Sequence, residues 1–318
     1  MIYWTLDSQK TMPTTNPYLE RILDRARHSG KVLALPEADP RMSAAAAKLR
    51  QSGITVVEVN PELAQRPECQ ERVAVQKFAK DWTIAQVEAF LKVPLHTAAL
   101  MVALGEADCM VAGATNTTGD VIRAAIRLVG VKPEAKWVSS SFLMIAPDGS
   151  HALSYADCAV IPDPTPEQLA TIGAEAANTH QQLTGEIPKV AFLSFSTKGS
   201  ARHPLVDKVT EAVQIFGESH SALLHEGELQ FDAAIIPEIA ERKLENSVLG
   251  GQANVLVFPD LNAGNIAYKI TERLGGYFAW GPLLQGLQRP IHDLSRGCRS
   301  EDIFLVSAIA LAQASEQN

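Results

Sequence analysis

Charge and cysteine are both scarce in this chain, and each shortage removes a class of explanation. Of 318 residues only 20% are Asp, Glu, Lys or Arg, with 28 Lys and Arg against 36 Asp and Glu for a formal net charge of -8. A broad nucleic-acid surface needs a basic face to neutralise phosphates, so no nucleic-acid partner is expected, and any polyanionic ligand must meet a local cluster of Arg and Lys. The four cysteines, Cys69, Cys109, Cys158 and Cys298, lie far apart and match no CxxC or other zinc-ligand spacing, which argues against a disulfide framework. The histidines are scattered, and the close pair His220 and His225 is not set out as HExxH, so no metal is expected. No run approaches the roughly 20 apolar residues that cross a bilayer. Residues 1–30 lack the basic-then-apolar order of a secretory signal. A cytoplasmic protein without a membrane partner is the expectation. Neither GxGxxG nor GxxxxGK[ST] occurs, which excludes P-loop nucleotide hydrolysis.

What is present is apolar and ordered. Hydrophobic residues make up 46% of the chain, and this length suggests about two domains, each with its own core, and room for a cleft between them. Short β-branched runs alternate with helix-like stretches: KVLALPEA (31–38), SAAAAKLRQ (43–51), GITVVEVN (53–60), an amphipathic stretch near 83–104, and DCMVAG (108–113). This alternation predicts βαβ units and a parallel sheet. KWVSSSFLM (136–144), KVAFLSFS (189–196), DAAII (232–236) and NVLVFPD (254–260) repeat the pattern and predict a second α/β sheet. One helix carries clear punctuation: Thr165 as N-cap, Pro166 at its first position, Gln168 closing a capping box, Leu169, Ile172 and Ala176 inward, and Gly185 as the stop. The last helix is expected from about Asp302 to Gln313, with Ile303, Val306, Ala310 and Leu311 on one face.

Polar residues cluster in the turns that follow the predicted strands, where open α/β sheets place their ligands. In AGATNTTGDVIRAAIR (112–127), small residues at a helix start expose N–H groups to an anion, and Arg123 and Arg127, four apart, suit a phosphate. The bland alternative is a helix whose arginines face water. In SFSTKGSARHP (194–204), Ser196, Thr197, Lys198, Gly199, Ser200 and Arg202 make a phosphate loop or a plain hydrophilic turn. FPDLNAGNIAYK (258–269) offers Asn262, Asn265, Tyr268 and Lys269, where turn asparagines ordinarily satisfy the backbone. DLSRGCRSED (293–302) brings a hydroxyl, a permanent cation and a carboxylate together in Ser295, Arg296 and Asp302, a set able to stabilise an oxyanion and accept a proton. The alternative there is structural: Ser300 capping the last helix, Asp302 complementing its dipole, and Arg296 pairing with Asp293.

Taken in order, these segments, with VSSSFLM (138–144), YADCAVIPDPTPEQLA (155–170), GELQFDAA (227–234) and GPLLQGLQRPIHDLSRG (281–297), resemble the phosphotransacetylase family, also called phosphate acetyltransferases. The likeness runs from about residue 100 to the end, and SARHP is similar to the short type associated with ethanolamine utilisation. The resemblance implies reversible acetyl transfer between coenzyme A and inorganic phosphate, with no permanently bound cofactor, and a homodimer. It also implies two three-layer α/β domains with mainly parallel sheets and an active-site cleft between them, the first discontinuous (1–135 and 282–318) and the second 136–281. By motif, Ser295, Arg296 and Asp302 match the family's catalytic serine, arginine and aspartate, and Arg123 matches an arginine that contacts coenzyme A. Arg127, Ser196, Thr197, Lys198, Asn262, Asn265, Tyr268 and Lys269 complete the expected substrate contacts.

The resemblance is incomplete at one point. A further arginine for coenzyme A is not found ahead of FLKVPLHTAALMVALGEADC (90–109), where Lys80 or Lys92 is a candidate substitute. Residues 1–11 look like an appended tail, with Met12 as an alternative start. Three other readings stand beside acetyl transfer in a ternary complex: a propionyl or butyryl preference, a silent acyl-CoA-binding sensor, and an acyl-enzyme route through Cys158 or Cys298.

Overall fold

The computed structural model describes residues 16–316, so the expected tail at residues 1–11 and the alternative start at Met12 lie outside the described residues. Ten strands are found among these: β1 (Val32–Ala34), β2 (Thr55–Val57), β3 (Cys109–Ala112), β4 (Ser139–Ile145), β5 (Ala152–Ala156), β6 (Lys189–Leu193), β7 (Leu224–Leu229), β8 (Val255–Val257), β9 (Phe278–Gln285) and β10 (Ile291–Asp293). They form two sheets, of order β10-β3-β1-β2 and β7-β6-β8-β5-β4-β9. The first is parallel throughout; in the second, β6 pairs parallel with β7 and β8, and β5 with β8, while β4 and β5 run antiparallel. This is the mainly parallel α/β architecture expected.

The chain divides into two compact units, one holding Ser139–Trp280 with residues 16–21, the other Ile22–Val138 with residues 281–316. The first six described residues therefore group with 139–280 rather than with 22–135. Their contacts give the reason: the Tyr18 hydroxyl donates to Glu186 Oε1 at 2.6 Å, and Arg21 lies against Gly185.

In the unit built on 139–280, alternation along the strands sends Val190, Phe192, Val255 and Val257 to one face and Ala191, Leu193 and Leu256 to the other. Leu169, Ile172 and Ala176 of helix Pro166–Thr184 and Val209 and Phe216 of helix Pro204–Ser219 cover the first face. The helix Pro166–Thr184 begins and ends as its punctuation predicts. Thr165 accepts from Gln168 N–H in a complete capping box, and Gly185 takes a left-handed φ of 80°. Ala233, Ala234 and Ala240 pack on the other face, together with helix Leu261–Arg273.

One element differs from expectation. DAAII (232–236) is not a strand: Phe231–Ile235 is helical, Asp232 sits in its first turn and Pro237 opens the next helix. A short apolar run cannot distinguish strand from buried helix by periodicity, and an acid in the first turn favours the helix. The strand place passes to β7, whose sequence LHEGEL hides two buried glutamates.

In the unit built on 22–138, helices Pro40–Gln51, Pro94–Leu104 and Ser300–Ala314 pack on the four-stranded sheet. The stretch near 83–104 is two helices, Ile84–Leu91 and Pro94–Leu104, because Pro94 cannot donate to the preceding turn. The last helix begins at Ser300, two residues before expectation, and its inward face includes Ile303, Val306, Ala310 and Leu311 as predicted. It is tied to β10 by His292, whose Nδ1 accepts from Leu284 N–H at 3.1 Å while Nε2 donates to Gln313 at 2.6 Å. Full burial draws this imidazole down to a pKa of about 4, so it is neutral. No single helix among the described residues is long and apolar enough to cross a membrane.

Gly264, in the first turns of helix Leu261–Arg273, marks the tightest approach in the larger sheet's unit. A β-carbon there would lie 2.3 Å from the Asp157 carbonyl oxygen and 3.1 Å from the Cys158 sulfur. Backbone cannot retreat as a side-chain tip can, so Gly264→Ala is expected to lower stability by about 3 kcal/mol. A urea titration of the two proteins checks this.

Candidate active site

Strands β1, β3 and β10 are parallel neighbours, so their C-terminal ends share one edge. The chain runs from β1 to β2 on one side of β1 and then from β2 to β3 on its other side, so the strand order reverses between β1 and β3, which is where parallel sheets ordinarily receive a ligand. Here Glu37, three residues beyond β1, occupies the 113–116 turn beyond β3. Its Oε2 accepts from the N–H groups of Gly113 (3.1 Å) and Ala114 (2.7 Å). Its Oε1 accepts from the N–H groups of Thr115 (3.0 Å) and Asn116 (2.8 Å), the Thr115 hydroxyl (3.0 Å) and the Asn116 amide (2.7 Å). Burial pushes the Glu37 carboxyl upward, but these donors prevail and hold it below its ordinary pKa. The expectation that these N–H groups receive a substrate anion is therefore corrected: the chain fills the nest with its own carboxylate.

Beyond β10 the chain turns sharply. Cys298 N–H donates to the Ser295 carbonyl at 2.9 Å and Gly297 N–H to Ser295 Oγ at 3.3 Å. Ser295 and Arg296 are exposed on this turn, and the Arg296 guanidinium makes no hydrogen bond or ion pair among the described residues. Arg41 fixes the turn from below. Gripped by Asp39 at 2.9 Å, it donates to the carbonyls of Arg296 (2.9 Å), Cys298 (2.8 Å) and Ala114 (3.0 Å). Asp302 Oδ2 accepts from Arg299 N–H at 2.8 Å and has Arg299 Nε at 3.6 Å. Arg299, not Ser300, is the N-cap, and Asp302 closes its own helix start while its side chain remains 45% exposed. Nor does Arg296 pair with Asp293, which is buried and accepts the Thr118 hydroxyl at 2.6 Å. The structure thus brings Ser295, Arg296 and Asp302 onto one turn and the helix start that follows it.

Arg123 and Arg127 have different neighbours. Helix Thr118–Ala124 passes into a single wider turn, Ala125–Val129, which alters the four-residue spacing. Arg123 crosses Gly119 to pair with Asp120 and is 58% exposed. Arg127 lies over the Phe78 ring at 4.7 Å, within an aromatic group that includes Trp82, Phe90 and the stacked His96. Of the substitutes considered for a further arginine, Lys92 lies 3.7 Å from Glu88, and Lys80 is exposed.

In the other unit, the 194–201 loop closes on Glu228. Its Oε1 accepts from the buried Ser196 hydroxyl (2.9 Å) and Gly199 N–H (2.7 Å), and the carboxyl is held below its ordinary pKa, burial opposing and these donors prevailing. Thr197 Oγ1 accepts from Gln230 N–H at 2.9 Å. Both hydroxyls hydrogen-bond within the loop. Lys198 is 46% exposed and donates to the Gly227 carbonyl at 2.9 Å, with Glu226 at 3.7 Å. The Asn265 amide donates to the Cys158 carbonyl at 3.0 Å, and Tyr268 stacks on Phe142 at 4.1 Å. Asn262 and Lys269 are exposed.

The cysteine route has no support in the geometry. Cys158 and Cys298 are buried, and burial raises both thiols, Cys298 despite Arg41 beside it. No group of three or more His, Cys, Asp or Glu able to hold a metal occurs among the described residues.

Residues 45–311 match the family model described as phosphate acetyl/butaryl transferase. The chain belongs to this family. It is 39% identical over 325 residues to the phosphate acetyltransferase of Acetivibrio thermocellus, covering 93% of this chain and 98% of that protein. Among solved structures, a phosphotransacetylase from Streptococcus pyogenes is 36% identical with a TM-score of 0.88, covering 94% of this chain and 98% of that one. EutD phosphotransacetylase from Staphylococcus aureus is 37% identical with a TM-score of 0.85, covering 93% and 98%.

In this phosphate acetyl/butaryl transferase, sequence reasoning missed Glu37 and Arg41, and the alternative pairing of Arg296 with Asp293 is not found. A signal existed for the first two: PEADPR places polar and turn residues directly after β1. Their partners outside this segment, 73 or more residues away, left no local trace. Replacing Glu37 by Gln removes the acceptor charge while keeping the shape, and should cost about 2–3 kcal/mol near neutral pH. Because the folded pKa is depressed, the wild-type advantage is present above the ordinary carboxyl value of 4.5 and disappears as pH falls through the lower folded value. Urea midpoints of both proteins across that range check the sign.

Proposed function

We propose that this chain is a phosphate acetyltransferase, transferring an acetyl group reversibly between coenzyme A and inorganic phosphate. The observation that carries this reading is the exposed 295–298 turn with Ser295 and Arg296, followed by Asp302, in a chain that aligns with the family over 45–311. Coenzyme A and acetyl-CoA enter as substrates, with no permanent cofactor. The reading carries with it a cytoplasmic homodimer acting on small molecules, as the resemblance implies; sedimentation equilibrium tests the dimer.

In one direction a thiolate attacks the acyl carbon of acetyl phosphate, and in the other phosphate attacks the thioester. Full proton transfer from a free thiol near 8.5 to a free Asp near 3.9 is uphill by over four units, about 6 kcal/mol. Asp302, with its side chain 45% exposed, is not sheltered from water here. The unpaired guanidinium of Arg296 is the stronger lever. It lowers the cost of a thiolate, and with Ser295 Oγ it stabilises negative charge on the acyl oxygen and the phosphate. Asp302 then assists as the acceptor of a proton already loosened. Arg123, exposed one helix away, supplies a cation for the coenzyme A phosphates, with Arg127 beside its aromatic group. Asn262 and Lys269, which are exposed, and Lys198, which is partly exposed, are proposed as further substrate contacts.

The decisive assay follows phosphate-dependent coenzyme A release with acetyl-, propionyl- and butyryl-CoA side by side. Acetyl-CoA is expected to give the highest kcat/KM; a butyryl preference would shift the acyl assignment, and tight acetyl-CoA binding without cleavage would favour a sensor. Arg296→Gln should lower kcat by about 3–4 kcal/mol in barrier, roughly a few hundredfold. Asp302→Asn should lower turnover with coenzyme A binding nearly intact, whereas equal loss of both would assign it to helix capping alone.

A further inference from the structure

Asp293 ends β10, two residues before Ser295, and is 1% exposed. Its Oδ2 accepts the hydroxyl of Thr118, the first residue of helix Thr118–Ala124, which carries Arg123. Its Oδ1 is equally buried and makes no hydrogen bond of ordinary geometry. Gly113 makes room for it: φ is +111°, and a β-carbon would stand 2.4 Å from Asp293 Oδ1 and 2.6 Å from Leu294 N. A glycine with this φ, a hydroxyl at a helix start and a buried carboxylate from three segments thus meet at one point. That point adjoins the turn bearing Ser295 and Arg296.

We propose that Asp293 is a positioning residue, pinning the 295–298 turn to the start of the Arg123 helix so that the guanidiniums of Arg296 and Arg123 keep a fixed relation. This rests on the acetyl-transfer reading above. The carboxylate is poorly suited to a purely stabilising role. Burial raises its pKa to about 6, with Glu37 on the neighbouring turn adding to the rise and Thr118 and Leu294 N–H opposing it. Other charges facing this edge are committed elsewhere: Asp120 to Arg123, Asp39 to Arg41 and Asp302 to Arg299, while β3 (CMVA) carries none. A folded pKa above the unfolded one means that ionising Asp293 costs stability above about 6, a cost that fades as pH falls toward 3.8. Such a charge is kept against the interest of the fold, as groups that hold functional geometry often are.

The test uses the full chain with Asp293→Asn, Thr118→Val and Thr118→Ser, measured between about pH 5 and pH 8.5. Three quantities are read: kcat and KM for acetyl-CoA and phosphate, the urea midpoint, and the rate of tryptic cutting after Arg296 in the native protein, identified by mass. Asp293→Asn is expected to keep or raise the urea midpoint at neutral pH. It should lose about tenfold or more in kcat with KM for acetyl-CoA changed less than about threefold, and should lose the acid limb expected of the wild type near 6. Cutting after Arg296 should accelerate several-fold. Thr118→Val should reproduce the kcat and cutting effects and move the acid limb upward, since a pKa-lowering hydrogen bond is gone; Thr118→Ser should restore wild-type values. Should Asp293→Asn fail to fold, the two Thr118 variants decide by themselves. Wild-type kcat, acid limb and cutting rate in the variants overturn the proposal, as does a loss of kcat matched by a fall in urea midpoint. If the wild type cleaves no thioester with phosphate, the acetyl-transfer reading falls, and the cutting rates alone then decide: faster cutting sustains the positioning role and equal cutting ends it.

Discussion

The Glu37 carboxylate, enclosed by four backbone N–H groups and two side-chain donors, is the interaction on which the smaller sheet's unit depends. A turn whose N–H groups all point inward is an anion site, and an empty one leaves several donors unmet at a cost of about 1–3 kcal/mol each when buried. Supplying the anion from β1 gives the 113–116 turn a permanent occupant and fixes it before any substrate arrives. The same device recurs in the other unit. Glu228 closes the 194–201 loop, and Asp157 accepts from the N–H groups of Ala159 (2.9 Å), Val160 (3.2 Å) and Ile161 (2.9 Å). The balance differs between them. Donors hold Glu37 and Glu228 below their ordinary pKa, whereas deeper burial of Asp157 outweighs its donors and raises it.

A catalyst for acyl transfer gains from groups that are accessible yet already in place, because reorganisation at the moment of reaction subtracts from electrostatic stabilisation. The 295–298 turn meets both conditions by dividing the labour. Its side chains at Ser295 and Arg296 face solvent, and its carbonyls are gripped from beneath by Arg41, whose third bond reaches Ala114 in the turn held by Glu37. The planar fork of Arg41 makes this possible; a lysine would offer a point charge without the fixed directions. Rigidity at the 295–298 turn is thus inherited from the end of β1 through the end of β3.

Much of this organisation is legible in local sequence, for identifiable reasons. Thr165, Pro166, Gln168 and Gly185 each act within a few residues, so the helix they bound can be read directly. The strands rich in Val and Leu announce themselves by composition. DAAII does not, because five apolar residues fit a helix turn as well as a strand, and β7 hides because its buried glutamates look like surface residues. The polar segments after β3 and β6 are strand-end turns, as their composition predicts, and N–H groups in both already have acceptors. Composition shows donors in abundance at 113–116 and 196–200, but not that Glu37 and Glu228 have already taken them.

The family, the mainly parallel α/β class and the placing of Ser295, Arg296 and Asp302 on one turn and the helix start after it follow from sequence alone, since long ordered motifs and a ten-residue segment encode them without reference to distant partners. Which polar groups are free to meet a substrate was decided only in three dimensions. Ser196, Thr197 and the Asn265 amide have hydrogen-bond partners, the Arg296 guanidinium has none among the described residues, and Arg123 and Arg127 lie against different neighbours, Asp120 and Phe78. The physical reason is that hydrogen-bond capacity is a property of neighbours in space. A donor's identity is written at its own position, and its occupancy is written at the position of a distant partner, 32 residues away for Ser196 and Glu228 and 76 for Gly113 and Glu37.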